Sequence, residues 1–223
     1  MPAPKKTFYF DLETSGLDPL IHGILQLACI VDIDGVVVEK RVWKIRPAKG
    51  LKADPRALQV NGFTMEQIRS FMPEEEFLTE FVEFLDTYVN KYVKTDKFYP
   101  AGYNIQFDVG FLKALFIRNG HKYYGGYFNY RFLDPLPWLI MEEWNGDFQA
   151  ADLKLGTVCE IYDIPLVDAH DAETDIEATR TLVLTLMRKY KSRLDGDEKP
   201  SAGMVIDWKK AKEFSEKARK SNE

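Results

Sequence analysis

The chain has 223 residues, 45% hydrophobic and 29% charged, with a formal net charge of −5. That length accommodates one domain with an extension and a sizeable core; the composition is that of an ordinary globular protein, and no apolar run is long enough to cross a bilayer. The charge excludes nothing: an acidic body can handle an anionic substrate through bound cations or local basic patches.

Along the chain, Thr7 to Leu12 predicts a first strand. ILQLACIVDI and VVVEKRVWKI predict a second and third, and Asp34-Gly35 between them is a hairpin signal that makes the pair antiparallel. RPAKGLKADPRALQVNGFT reads as loop with one short helix. PEEEFLTEFVEFLDTYVNKYV is helical, with Phe77, Phe81, Phe84, Leu85 and Tyr88 on one face and acids crowding the first turn, where a helix dipole favours them. KFYPAGYN predicts a strand, and IQFDVGFLKALFIRNG a helix with Phe107, Phe111, Leu112 and Leu115 on its apolar face and a stop at Gly120. The tract from Lys122 to Trp144 is rich in aromatics and prolines and carries no clear period. LKLGTVCEIYDI predicts a short helix. DAETDIEATRTLVLTLMRKY predicts a long one, capped near Asp171, with Leu182, Leu186 and Tyr190 facing inward. LDGDEKPSAG then reads as a linker to a basic, weakly amphipathic segment, IDWKKAKEFSEKARK. A strand meander followed by alternating strands and helices predicts an α/β fold with a mixed sheet.

The acids in FYFDLETSGLDP need a reason. Residues two apart on a strand share a face, so Tyr9, Asp11 and Glu13 lie opposite Phe8, Phe10 and Leu12. Two like charges on one face repel unless water or a cation separates them; alone, the pair equally fits a strand end reaching solvent. Asp108 and Asp175, each in the first turns of a helix, enlarge the set. Carboxylates from separate elements form an all-oxygen cage suited to Mg²⁺ or Mn²⁺. Two such ions about 4 Å apart can clamp the attacking and leaving oxygens of a phosphodiester displacement. The chain has three histidines. His22 and His121 sit at turns and are expected on the surface. His170 immediately precedes the helix of Asp175 and could take a proton near neutral pH.

In three motifs the sequence resembles the DEDDh 3′–5′ exonucleases, the group of the proofreading epsilon subunit, oligoribonuclease and RNase T. FDLETSGL is similar to their first motif, NIQFDVGFL to their second and HDAETD to their third, and the likeness runs from about Thr7 to Arg188. Asp171, not tyrosine, stands four residues before Asp175, which favours the histidine subclass. The resemblance implies a ribonuclease H-like mixed β-sheet with helices packed on both faces. It implies catalysis by Asp11, Glu13, Asp108, His170 and Asp175, the four acids holding two Mg²⁺ or Mn²⁺ ions and His170 acting as general base. Thr14, Leu17, Val60, Asn61, Asn104 and Phe107 match substrate-facing positions, with Val60-Asn61 as a turn and Leu17 wedging between bases. The implied reaction removes nucleoside 5′-monophosphates from the 3′ end of DNA, single-stranded ends being the expected partner. The same motifs serve exoribonucleases, and an inactive nucleic-acid- or polymerase-binding module shares the fold. LDPLPW departs from the family's usual Asp-Thr by placing Pro135 after Asp134.

Residues 1–191 are therefore expected to form an exonuclease domain and 192–223 a linker and basic tail. From Met187 onward, eleven Lys and Arg face seven Asp and Glu, so this end is +4 and the remainder −9. Such a tail could tether a polymerase or another replication or repair partner. MPAPKKT lacks a signal peptide's apolar segment. Cys29 and Cys159 lie in apolar surroundings, as buried reduced thiols do. A cytoplasmic location follows, with no membrane partner.

Overall fold

The computed structural model of the protein describes residues 4–166 and 171–195. Strands β1 (Lys6–Thr14), β2 (Ile24–Ile33) and β3 (Val36–Arg46) form an antiparallel meander. Asp34 and Gly35 turn the chain between β2 and β3 with φ of 53° and 87°. That left-handed pair matches strand twist, as the Asp-Gly signal predicts. Two short helices follow, α1 (Pro55–Asn61) and α2 (Met65–Ser70), then β4 (Met72–Pro73), α3 (Glu74–Asp86) and β5 (Phe98–Ala101). The remaining helices are α4 (Gln106–Arg118), α5 (Tyr124–Tyr127), α6 (Leu136–Trp144), α7 (Leu155–Ile161) and α8 (Ala172–Asp195). The sheet order is β4-β3-β2-β1-β5, with β5 parallel to β1 and β4 parallel to the end of β3. β4 covers only Ile45 and Arg46, so among the described residues most of the outer border of β3 has no strand partner.

Alternation along the strands sorts the core. Phe8, Phe10 and Leu12 of β1, Leu27, Cys29 and Val31 of β2, and Trp43 and Ile45 of β3 pack with Phe77 and Phe81 of α3 and Leu112 and Leu115 of α4. Phe8 is the hub, its ring centroid 5.4 to 5.9 Å from those of Phe10, Phe81, Phe98 and Phe128. The opposite face carries Tyr9, Asp11 and Glu13, paired in register with Ile30, Ala28 and Gln26. α8 lies along this face, joined to it by Gln26–Asp171 and Asp32–Arg180 contacts. A second apolar cluster ties Leu139 of α6 and Val158 and Cys159 of α7 to Ala178, Leu182 and Leu186 of α8. The molecule is an α/β protein with helices on both faces of a mixed sheet. Both cysteines are buried and free. Among the described residues, no helix is long and apolar enough to cross a membrane.

Several expectations need correction. The stretch to Thr64 holds one short helix, as expected, and a second helix follows it that the sequence reading did not include. Pro55 and the Asp54 side chain, which accepts the Arg56 N–H at 2.8 Å, start α1. A Thr64–Gln67 capping box starts α2. Val60 and Asn61 are thus the last residues of α1, not a turn. α3 stops at Asp86, short of the expected Val93, although Tyr88 still packs half-buried against the core. β5 ends at Ala101, since a Cβ at Gly102 would stand 2.9 Å from the Phe10 carbonyl and Asn104 then turns with φ 54°. His22 and His121, expected on the surface, are both partly buried, His121 against Phe116 with ring centroids 5.0 Å apart. Burial, and then the Lys91 ammonium, hold the His121 pKa below the ordinary value. Tyr190 is 51% exposed, because the apolar stripe of α8 closes at Leu186. Residues 1–186 form one compact unit and Met187 begins another, of which the last turns of α8 are described. The linker and basic segment from residue 196 lie outside the described residues.

Candidate active site

β5 pairs with β1 only as far as Tyr9. Beyond it the backbone of β1 lacks a strand neighbour on that side, and the start of α4 takes the place. The Asp108 Oδ1 accepts the N–H of Leu12, the residue between Asp11 and Glu13, at 3.1 Å, so a buried helix carboxylate finishes the ladder. α4 has no cap from its own N-terminus. Asp134 supplies one from thirty residues away: its carboxylate accepts the amides of Asn104 at 3.1 Å, Ile105 at 3.2 Å and Leu136 at 3.0 Å. From the other face, α8 starts just after Asp171, whose carbonyl accepts the Asp175 N–H at 3.0 Å.

The acids act on one another. Burial, then Asp175, Glu13 and Asp171, hold the Asp11 carboxyl well above the usual range. Glu13 is pushed up to about 7 by burial and Asp175, against which a hydrogen bond from Asn61 works. Asp108 is raised by burial and by Asp11, against the pull of the Leu12 amide. Among the described residues, the charges acting on Asp11 and Glu13 are carboxylates. Asn61 donates to the Thr14 carbonyl at 3.0 Å, while its own Oδ1 is buried without a partner. Among the described residues, no three carboxylate, imidazole or thiol groups already stand close enough to hold a metal ion. Carboxylates from separate elements form an all-oxygen donor set of the kind that fits a hard divalent cation.

Asp11, Glu13, Asp108 and Asp175 are thus brought together from β1, α4 and α8. His170 lies outside the described residues. Of the other predicted positions, Thr14 is buried at the end of β1, its hydroxyl donating to the Gly16 carbonyl at 2.7 Å. Leu17 and Val60 are 81% and 62% exposed, so neither belongs to the core. Asn104 and Phe107 flank the start of α4, Phe107 half-buried against Phe111. Three further residues have parts in the site that the sequence reading did not assign to them. Asp171 adds a charge to the cluster and accepts from Gln26 at 3.4 Å, and Asp134 caps α4. Gln26 stands opposite Glu13 in the β1–β2 register, a signal that is visible only once the register is known.

A family model described as an exonuclease of the RNase T group matches residues 8–183. The chain is 29% identical over 188 residues to a PolC-type DNA polymerase III of Latilactobacillus sakei, covering 83% of this chain and 12% of that one. A crystal structure of E. coli exonuclease I with a dT13 oligonucleotide has a TM-score of 0.69 at 22% identity, covering 85% of this chain and 42% of that one. A zinc-bound form of the same enzyme's complex with single-stranded DNA has a TM-score of 0.70 at 22% identity, covering 86% and 42%. The likeness establishes a ribonuclease H-like fold. The chain spans about an eighth of the polymerase and less than half of the solved nuclease chains.

Proposed function

The chain belongs to the RNase T-type exonuclease family, and from that premise we propose that it hydrolyses DNA from the 3′ end, one nucleoside 5′-monophosphate at a time, with two Mg²⁺ or Mn²⁺ ions. The observation that carries the reading is that burial and neighbouring carboxylates hold Asp11, Glu13 and Asp108 above the ordinary range, with Asp175 acting on Asp11 and Glu13. Asp11, Glu13, Asp108 and Asp175 would hold the ions. When bound, such ions neutralise charge on the phosphate and make water a better nucleophile.

The chain's own groups do the rest. The Leu12 amide fixes Asp108 at the border of β1, and Asn61 orients Glu13 from the end of α1. His170, five residues before Asp175, would take the proton of the attacking water, a role suited to an imidazole near neutral pH. The exposed Leu17 is free to meet the terminal base, and Thr14, Val60, Asn61, Asn104 and Phe107 would line the path of the last nucleotides. Similarity to a DNA polymerase and to a nuclease solved with dT13 favours single-stranded DNA ends over RNA. The basic residues after Met187 would serve a polymerase or other replication or repair partner.

The test follows 5′-labelled single-stranded DNA and RNA in parallel with Mg²⁺. A one-nucleotide ladder shrinking from the 3′ end of DNA, absent with EDTA and with Asp11→Asn, is expected. A ladder on RNA alone would replace the substrate, and label released as a mononucleotide at once would reverse the polarity.

A further inference from the structure

α8 is pinned to the sheet at both ends of the stretch that carries Asp175. At the near end, Gln26 donates to Asp171 at 3.4 Å. At the far end, Arg180 donates from Nε and Nη2 to the Asp32 Oδ2, at 2.9 and 2.7 Å, and from Nη2 to the Gly35 carbonyl at 2.9 Å. The other carboxylate oxygen of Asp32 accepts the Gly35 N–H at 2.7 Å. One buried carboxylate therefore holds both the β2–β3 hairpin and the helix. Between the pins Ala28 of β2 and Ala172, Ile176 and Thr179 of α8 are all buried. Lys40 of β3 also pairs with Glu177 on the flank of α8.

Geometry explains why arginine stands at 180. From Gln26 to Asp32 a strand advances about 20 Å. From Asp171 to Arg180 a helix rises about 14 Å. A long side chain spans the difference, and a planar fork can serve a carboxylate and a carbonyl together. A helix fixed at two points cannot slide or roll along the sheet, and the group between those points is Asp175.

We propose that the Asp32–Arg180 pair is a positioning latch that sets where Asp175 stands against Asp11, and so governs how tightly the site holds a divalent ion. This rests on the functional reading above. Neither residue touches substrate or the reacting atoms.

The test uses Arg180→Lys, which keeps the charge without the fork, and Asp32→Asn, which keeps the turn acceptor without the charge. Backbone hydrogen exchange is measured in the metal-free chain, and Mn²⁺ binding by calorimetry. Exchange across residues 172–178 is expected to quicken about tenfold in each variant, and Mn²⁺ affinity to fall about tenfold or more, the double variant being no worse than either single one. Should Asp32→Asn fail to fold, Arg180→Lys alone decides. Unchanged exchange overturns the latch. Faster exchange with unchanged Mn²⁺ affinity overturns its positioning role. A wild-type chain that binds no Mn²⁺ sinks the metal reading instead, while the exchange result still decides whether the latch exists.

Discussion

With its folded pKa near 7 against an ordinary 4.5, Glu13 keeps a proton in the metal-free fold at pH values where the unfolded chain has released it. The sign follows from the raised value. This contribution to stability is complete below 4.5 and is lost as the pH climbs through 7. Thermal unfolding in EDTA should therefore show Tm falling across that interval. Glu13→Gln should flatten the fall, and Mg²⁺ should restore Tm at the alkaline end by favouring the ionised carboxylates. A Tm that rises with pH in EDTA would mean that the carboxylates are not held apart from water as the geometry implies. At this scale the sequence was informative, because Asp-x-Glu on a strand needs only alternation to be placed. Asp171 was read as a cap and not as a charge, since helix propensity does not say which way a carboxylate looks.

Helix starts decide whether the acids meet. α4 carries Asp108, yet its start is held by a residue thirty positions downstream. Removing that cap with Asp134→Ala leaves three backbone amides without their acceptor and should cost about 1 to 2 kcal/mol, read from urea unfolding. It should also lower turnover, since Asn104 in its left-handed conformation would no longer direct the chain into the helix. Wild-type stability would show that these amides are satisfied by water. α3, α4 and α8 were legible from apolar spacing, and Asp108 and Asp175 from first-turn positions. The boundaries of β5 and α1 were not. A close approach at Gly102 and an aspartate cap fix those boundaries, and neither leaves a periodic mark.

The alternation of β1 sets an aromatic face, packed on α3 and α4, against a face that carries Asp11 and Glu13. Phe81 stands in the aromatic side against Phe8, Trp43, Phe77, Phe84 and Phe116, with ring centroids 5.3 to 6.4 Å away. Phe81→Ala should cost about 3 to 5 kcal/mol, measured by urea unfolding, and much less would mean that the core collapses into the gap. The meander and the mixed α/β character could be read from the sequence. The seat of β5 beside β1 could not, because strand neighbours far apart in sequence carry no local signature. That seat leaves part of β1 open to Asp108, while among the described residues β4 leaves most of β3 without a strand neighbour. Such a border is a template on which another chain's strand can grow. Here it displays Val36, Val37 and Val38 at the hairpin end, and then Glu39, Lys40 and Arg41, whose charges would be stripped of water by any incoming strand. Three charges in a row work against strand addition at this border, and exchanging them for β-branched apolar side chains should make the chain prone to fibre formation.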